Sequence, residues 1–361
     1  MAATEAVSSI PRSVRSAVKD PHWYAAMKKE YDSLQANKTW TLVPRPPGAR
    51  IIIGKWVFKH KMNPDGTLEC YKAWWVVRGF NQRPGIDFGE TFSPVVKPAT
   101  IRTVLTIVAT YNWSAHQLDV SNAFLHGNLQ EQASTTTLLR HIIVWLHDAF
   151  AVKDMGPVRH FLGINVQRTP TVFFLSQSSY VEDLLERADM ANSADGKLID
   201  DVTTYRSIAE ALQYLTITCP DIAYAVQQVC LHMHVPRDVH QTMLKRILWY
   251  IKGTTTLGVQ LRTASTPTIT AYSNANWAGC PDTWRSTSGF CVFFGNSLVS
   301  WSSKRQNTVS RSSAEAEYRA IANAVLECSW LRHLLGELLC KVSSATVAYC
   351  DNISSVYMLA N

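Results

Sequence analysis

The tightest constraint on what this chain can fold into is a change of hydrophobic period in its last third. Apolar positions alternate in three short runs, 269–273, 289–294 and 298–302, the period-2 signature of strands with one buried face. From 313 to 339 the pattern turns helical, with Tyr318, Ile321, Ala322 and Val325 on one face. A strand at 346–350 and a helix from 353 onward follow. Three strands, a helix, a strand and a helix predict an α/β domain, and the whole chain reads as α/β (α+β).

Upstream the punctuation is that of a mixed chain. Residues 1–20, rich in Ala, Ser and Val with Pro11, read as a linker. Trp23, Met27, Tyr31 and Leu34 recur at three- and four-residue spacing, which predicts a helix ending near Asn37. A short apolar run, 40–43, and a Pro/Gly turn at 44–48 lead to 55–61, where apolar and basic residues alternate. After a turn at 63–66, the run 71–80 returns as the second strand of a hairpin. Beyond it the pattern predicts a helix at 99–111, a strand at 114–124 carrying Asp119, and an apolar helix at 138–150. Paired strands at 161–166 and 172–175, a helix at 177–188 and a polar connector at 190–203 come next. Helices at 205–219, 222–234 and 239–252 are separated by Pro220 and Pro236.

With 361 residues, 47% of them hydrophobic, the chain is long and apolar enough for two or three cored domains, which excludes a disordered tail. A net charge of +7 leans toward polyanions without identifying one. The eight cysteines include no CxxC pair, so a disulfide scaffold and a disulfide-linked partner are not expected. The N-terminal residues lack a signal pattern and no stretch reaches the roughly 18 apolar residues of a membrane span. The expected location is intracellular, cytoplasmic or nuclear, with no membrane contact.

Several long strings resemble the Ty1/copia-type retrotransposon polyproteins, in the family's order. The run from Cys70 through Arg78-Gly-Phe80 to Val95 resembles the fingers of their reverse transcriptase. Gln117-Leu-Asp-Val-Ser-Asn-Ala-Phe-Leu-His-Gly127 resembles the first palm motif. Val152-Lys-Asp-Met-Gly-Pro157, Phe161-Leu-Gly-Ile164, Tyr205-Arg-Ser-Ile-Ala209 and Pro220-Asp-Ile-Ala-Tyr-Ala-Val226 resemble the thumb and connection. Ala271-Tyr-Ser-Asn-Ala-Asn-Trp-Ala-Gly279, Arg285-Ser-Thr-Ser-Gly289 and Ser312-Ser-Ala-Glu-Ala-Glu-Tyr318 resemble the RNase H module. The resemblance implies a linker at 1–20, a reverse transcriptase remnant at 21–190, a helical connection at 191–265 and an RNase H-like domain at 266–361. It also implies that the palm is deleted near 131–138 and that the family's domain runs past Asn361.

The family's two activities, RNA-directed DNA polymerase and RNA/DNA hybrid ribonuclease, both need carboxylates converging on a pair of Mg²⁺ ions, because a hard cation takes oxygen ligands. For the polymerase, Asp119 matches the first ligand. The Tyr-x-Asp-Asp hairpin that supplies the others is absent from its usual place. Leu198-Ile-Asp-Asp201 lies after Phe161-Leu-Gly-Ile164, on the wrong side of it, and reads as connector. The family's Arg-Leu in the fingers is replaced by Trp74 and Trp75, which leaves Lys72 and Arg78 as the candidate triphosphate contacts.

For the ribonuclease, the resemblance places the acidic set at Asn274, Glu317, Asp351 and a position beyond Asn361. Glu317 takes the helix position because it opens the apolar face, whereas Glu315 points about 200° away round the helix. An amide at Asn274, with a second at Asn276, gives up the charge that draws Mg²⁺ and is expected to cost about three decades in rate. Mg²⁺ is therefore not expected to bind productively at either centre, and the expected product is a non-catalytic fragment that at most binds an RNA/DNA hybrid weakly.

Cys230-x-His232-x-His234 suggests zinc, but ligands two residues apart on a helix do not face one point. Lys304, Arg305 and Arg311 could touch phosphates and equally suit an ordinary basic loop. An active enzyme that borrows ligands from a partner chain, and a structural or interaction protein recruited by a host from the old scaffold, are the competing readings.

Overall fold

The computed structural model describes residues 7–36, 44, 53–62, 67–77, 96–120, 152–190, 201–264 and 267–360. The expected strand 40–43, the turn at 63–66, Arg78, the join at 131–138, the helix 138–150 and Asp200 lie outside them. The chain divides into two compact units, 1–95 with 122–132, and 96–121 with 133–361.

In the first unit the helices α1 (Val14–Lys19) and α2 (Pro21–Ala36) precede the hairpin strands β1 (Gly54–Met62) and β2 (Leu68–Val77), paired antiparallel with Trp56 opposite Trp75. The alternation predicted for 55–61 holds because one strand face meets α2. Trp23 is fully buried against Phe58, His60 and Tyr71, with ring centroids 5.5, 5.2 and 4.8 Å away. Within the stretch expected as a linker, residues 7–20 are described and include α1. Ser13 caps α1 in a capping box with Ser16, Ala17 is buried, Ser8 N–H donates to the Tyr71 hydroxyl, and Trp23 Nε1 donates to Ser9 O. Local capping and one indole tie down a stretch whose composition alone reads as spacer.

The second unit opens with α3 (Pro98–Thr110) and an antiparallel two-stranded ribbon, β3 (His116–Val120) with β4 (Val152–Pro157). A four-stranded sheet follows in the order β5 (His160–Phe161), β6 (Ile164–Arg168), β7 (Val172–Ser176) and β8 (Gly258–Arg262), antiparallel throughout. Between β7 and β8 the chain forms α4 (Ser178–Arg187), α5 (Val202–Leu215), α6 (Ala223–Cys230) and α7 (Asp238–Gly253). Leu184, Tyr205, Leu212, Leu215, Leu244 and Leu248 form their shared core. The helical stretch thus leaves one sheet and returns to it, so the residues on both sides of 191 form a single packed body.

The last sheet has the order β11–β10–β9–β12, from β9 (Ile269–Asn276), β10 (Thr287–Phe294), β11 (Ser297–Arg305) and β12 (Val347–Tyr349). β9, β10 and β11 are antiparallel, and β12 runs parallel to β9. The parallel return needs a crossover, which α8 (Ser313–Glu337) supplies, and α9 (Ile353–Ala360) follows. Ala271, Val292, Phe294 and Val299 of the sheet bury against Ala324, Cys328, Leu331 and Leu335 of α8. The predicted order of three strands, helix, strand and helix is the observed one. Among the described residues no helix is long and apolar enough to cross a membrane, and the eight cysteines are free.

Candidate functional site

The parallel pairing of β12 with β9 builds the site. Tyr349 lies opposite Tyr272, so two residues further along each strand direction the chain reaches Asp351 and Asn274. The Asn274 Nδ2 amide donates to Asp351 Oδ2 at 3.1 Å. From beneath, α8 brings in Glu317, whose Oε1 accepts from the Ala275 N–H at 2.7 Å. The helix starts where it does because the Ser312 hydroxyl accepts from the Glu315 N–H. That places Glu317 on the sheet side, 5% exposed, while Glu315 bonds Arg319 and the Arg311 N–H at the surface. The predicted choice between the two glutamates follows from helical period and is what the packing gives.

Cys350 was missed, although its place beside Asp351 signals it. Its thiol lies 3.9 Å from Glu317 Oε2 and 3.2 Å from the Ser355 hydroxyl. Glu317, Cys350 and Asp351 have ligand atoms within 4.8 Å of one another, the one such group among the described residues. Burial pushes the Glu317 carboxyl above the ordinary glutamate range; the Ala275 N–H draws it back and the Asp351 charge raises it again. Asn274, Glu317 and Asp351, all named from the sequence, therefore lie together.

The polymerase positions do not. Asp119 is exposed on β3, opposite Lys153 in register. The nearest acid on the ribbon, Asp154, pairs with Leu118, so strand alternation puts it on the other face, where it accepts from Gly156 N–H at 2.7 Å and contacts His116. Asp201 caps α5, accepting from the Thr203 and Thr204 N–H groups, and the Thr203 bond holds its carboxyl below the usual range. It marks the start of that helix. Lys72 lies on β2 opposite Lys59, its ammonium 5.7 Å over the Trp74 ring.

The weaker candidates separate too. Cys230 donates to Ala209 O, and His232 stacks on His240 with centroids 3.7 Å apart, so no zinc set forms there. Arg305 turns its guanidinium to Cys280 Sγ, and Asn276 donates to the Tyr224 hydroxyl.

The family described as reverse transcriptase (RNA-dependent DNA polymerase) matches residues 37–136. The chain is 36% identical over 451 residues to the Retrovirus-related Pol polyprotein from transposon RE2 of Arabidopsis thaliana, covering 99% of this chain and 31% of that protein. It is 30% identical over 458 residues to the Pol polyprotein from transposon TNT 1-94 of Nicotiana tabacum, covering 97% of this chain and 34% of that one. It is 44% identical over 211 residues to an uncharacterized mitochondrial protein of Arabidopsis thaliana, covering 55% of this chain and 88% of that one. The chain belongs to the copia-type retrotransposon Pol polyproteins.

This retrotransposon Pol chain spans about a third of the length of the Pol polyproteins it matches. It is also internally shorter: an alignment over 451 residues against a chain of 361 leaves at least 90 positions of the RE2 polyprotein with no residue opposite them. The Asn274, Glu317 and Asp351 set does not fit the Mg²⁺ pair that the family's chemistry uses. A carboxylate only accepts, so the neighbouring amide turns its NH₂ to Asp351 and points a donor where a cation's ligand is needed.

Proposed function

We propose that this chain is a catalytically defective reverse transcriptase/RNase H fragment of a retrotransposon polyprotein, retaining weak, salt-sensitive affinity for RNA/DNA hybrids. In this reading residues 21–190 are the polymerase remnant, with the palm deletion near 131–138; residues 191–265 are the connection, and 266–361 the RNase H-like domain. Lys72 and Arg78 are the surviving triphosphate contacts. Asp119, Glu317 and Asp351 are vestigial Mg²⁺ ligands.

One observation carries it: the Asn274 amide donates to Asp351, closing by hydrogen bond a site that three carboxylates would leave mutually repelling and dependent on a cation. The strand order and the parallel return through α8 support the RNase H-like assignment. That Asp119 joins no cluster of three or more metal-ligating side chains among the described residues supports loss of the polymerase centre.

The test is Mg²⁺-dependent cleavage of an RNA/DNA hybrid and extension of an RNA-primed template by the purified chain and by Asn274→Asp. The unaltered chain should show neither activity, and Asn274→Asp should gain at least about tenfold in hybrid cleavage over background. Turnover by the unaltered chain in either assay would sink the reading. Hybrid binding should weaken steeply from 50 to 200 mM salt.

A further inference from the structure

α3, β11, α5 and α6 enclose a cavity of about 290 Å³, lined among others by Lys97, Ala99, Arg102, Gln227, Ser302 and Trp301. Arg102 is 4% exposed. Its Nε donates to Val299 O at 2.7 Å, its Nη1 to Ile217 O at 2.8 Å, and its guanidinium carbon lies 3.7 Å from the Trp301 ring centroid. Among the described residues Nη2 has no acceptor, and no carboxylate forms an ion pair with the group. Burial lowers its pKa to about 9, although the more distant Glu327 charge works the other way. A buried cation without a contact anion is costly, and here it faces a space large enough to hold one.

Two further features have the same sign. Lys97 stands at the mouth of α3, its ammonium 3.8 Å over the Trp330 ring and paired with Glu327. α3 has 13 residues and no side-chain cap, Pro98 at its first position has no N–H to give, and Ala99 of its first turn lines the cavity. The nearby Glu327 is the one carboxylate set against these cations, and it already accepts from Ser300 at 2.6 Å. We propose that this cavity binds a phosphate-type oxyanion, with Nη2 of Arg102, the Lys97 ammonium and the first turn of α3 as its donors. The proposal does not depend on the fate of the carboxylate centres.

Isothermal titration of the whole chain with inorganic phosphate, at ionic strength held constant with sodium chloride, tests it. Saturable binding is expected, weakened at least about tenfold in Lys97→Met and strengthened in Glu327→Gln, which removes the opposing charge while keeping an acceptor for Ser300. Those two variants avoid Arg102, whose removal would empty a buried, hydrogen-bonded position. A second arm adds a short RNA/DNA hybrid. Displacement of phosphate assigns the oxyanion to a nucleic-acid backbone, and simultaneous binding assigns it to a small phosphate ligand. Absence of saturable phosphate binding, or equal binding in all three proteins, overturns the proposal.

Discussion

Asp119 and Asp351 both sit where a strand ends, yet their surroundings differ. Among the described residues β3, which carries Asp119, has one partner strand in a two-stranded ribbon, and its acid is exposed and belongs to no cluster of three or more metal-ligating side chains. β9, which carries Asn274, has neighbours on both sides and α8 beneath it, so three chain segments deliver Asn274, Glu317 and Asp351 to one point. In the four-stranded sheet, flanking strands and a helix bring three polar side chains to one point, and among the described residues the two-stranded ribbon does nothing of the kind, because convergence is a property of the scaffold.

The largest expected effect breaks or sharpens that contrast through packing. Leu331→Ala removes a side chain 1% exposed in the core under β9 and should cost about 2–5 kcal/mol, whereas Leu118→Ala on the ribbon should cost under about 1.5 kcal/mol. Urea unfolding of both variants measures it, and equal costs would erase the distinction between the two regions. Next, Asn274→Asp replaces a donor to Asp351 by a third negative charge. In metal-free buffer it should lose on the order of 1 kcal/mol, and Mg²⁺ should restore this in the variant while leaving the unaltered chain unmoved.

Asp201→Ala should lower the thermal midpoint by about 2–4 °C through loss of the α5 cap, without changing any metal response. A metal response that vanished with Asp201 would make it a ligand and overturn its reading as a cap alone.

The smallest effect is a pH dependence. A carboxyl whose folded pKa lies above its unfolded one stabilises the fold fully below the unfolded value, and that contribution is lost as pH rises through the folded value. Glu317 is such a group, so stability should fall across that window on the alkaline side of the ordinary glutamate range. Glu317→Gln should flatten the fall and raise stability at neutral pH, read as thermal midpoints from pH 4 to 8. An unchanged profile would remove Glu317's burial from the account of the site.

Much of the second unit was legible because its strands and helices are long enough for period to speak. The 25-residue α8 shows which of Glu315 and Glu317 faces inward without any coordinates. β8 was not legible. Gly258–Arg262 is five residues whose partner, β7, lies more than 80 residues earlier, and strand pairing at that distance leaves no local trace. α1 was missed for the opposite reason, since six residues are too few to show a period and only the Ser13 and Ser16 hydroxyls mark it.

The sequence by itself determined the family, the order of the elements in the last sheet and its helices, and the amide at Asn274, since these are properties of residue type and spacing along one strand of text. Only the tertiary structure decided that the Asn274 amide bonds Asp351 and that Arg102 is a buried cation beside a cavity. Hydrogen-bond partners, ionisation and burial depend on groups brought together from distant parts of the chain, and no local pattern encodes them.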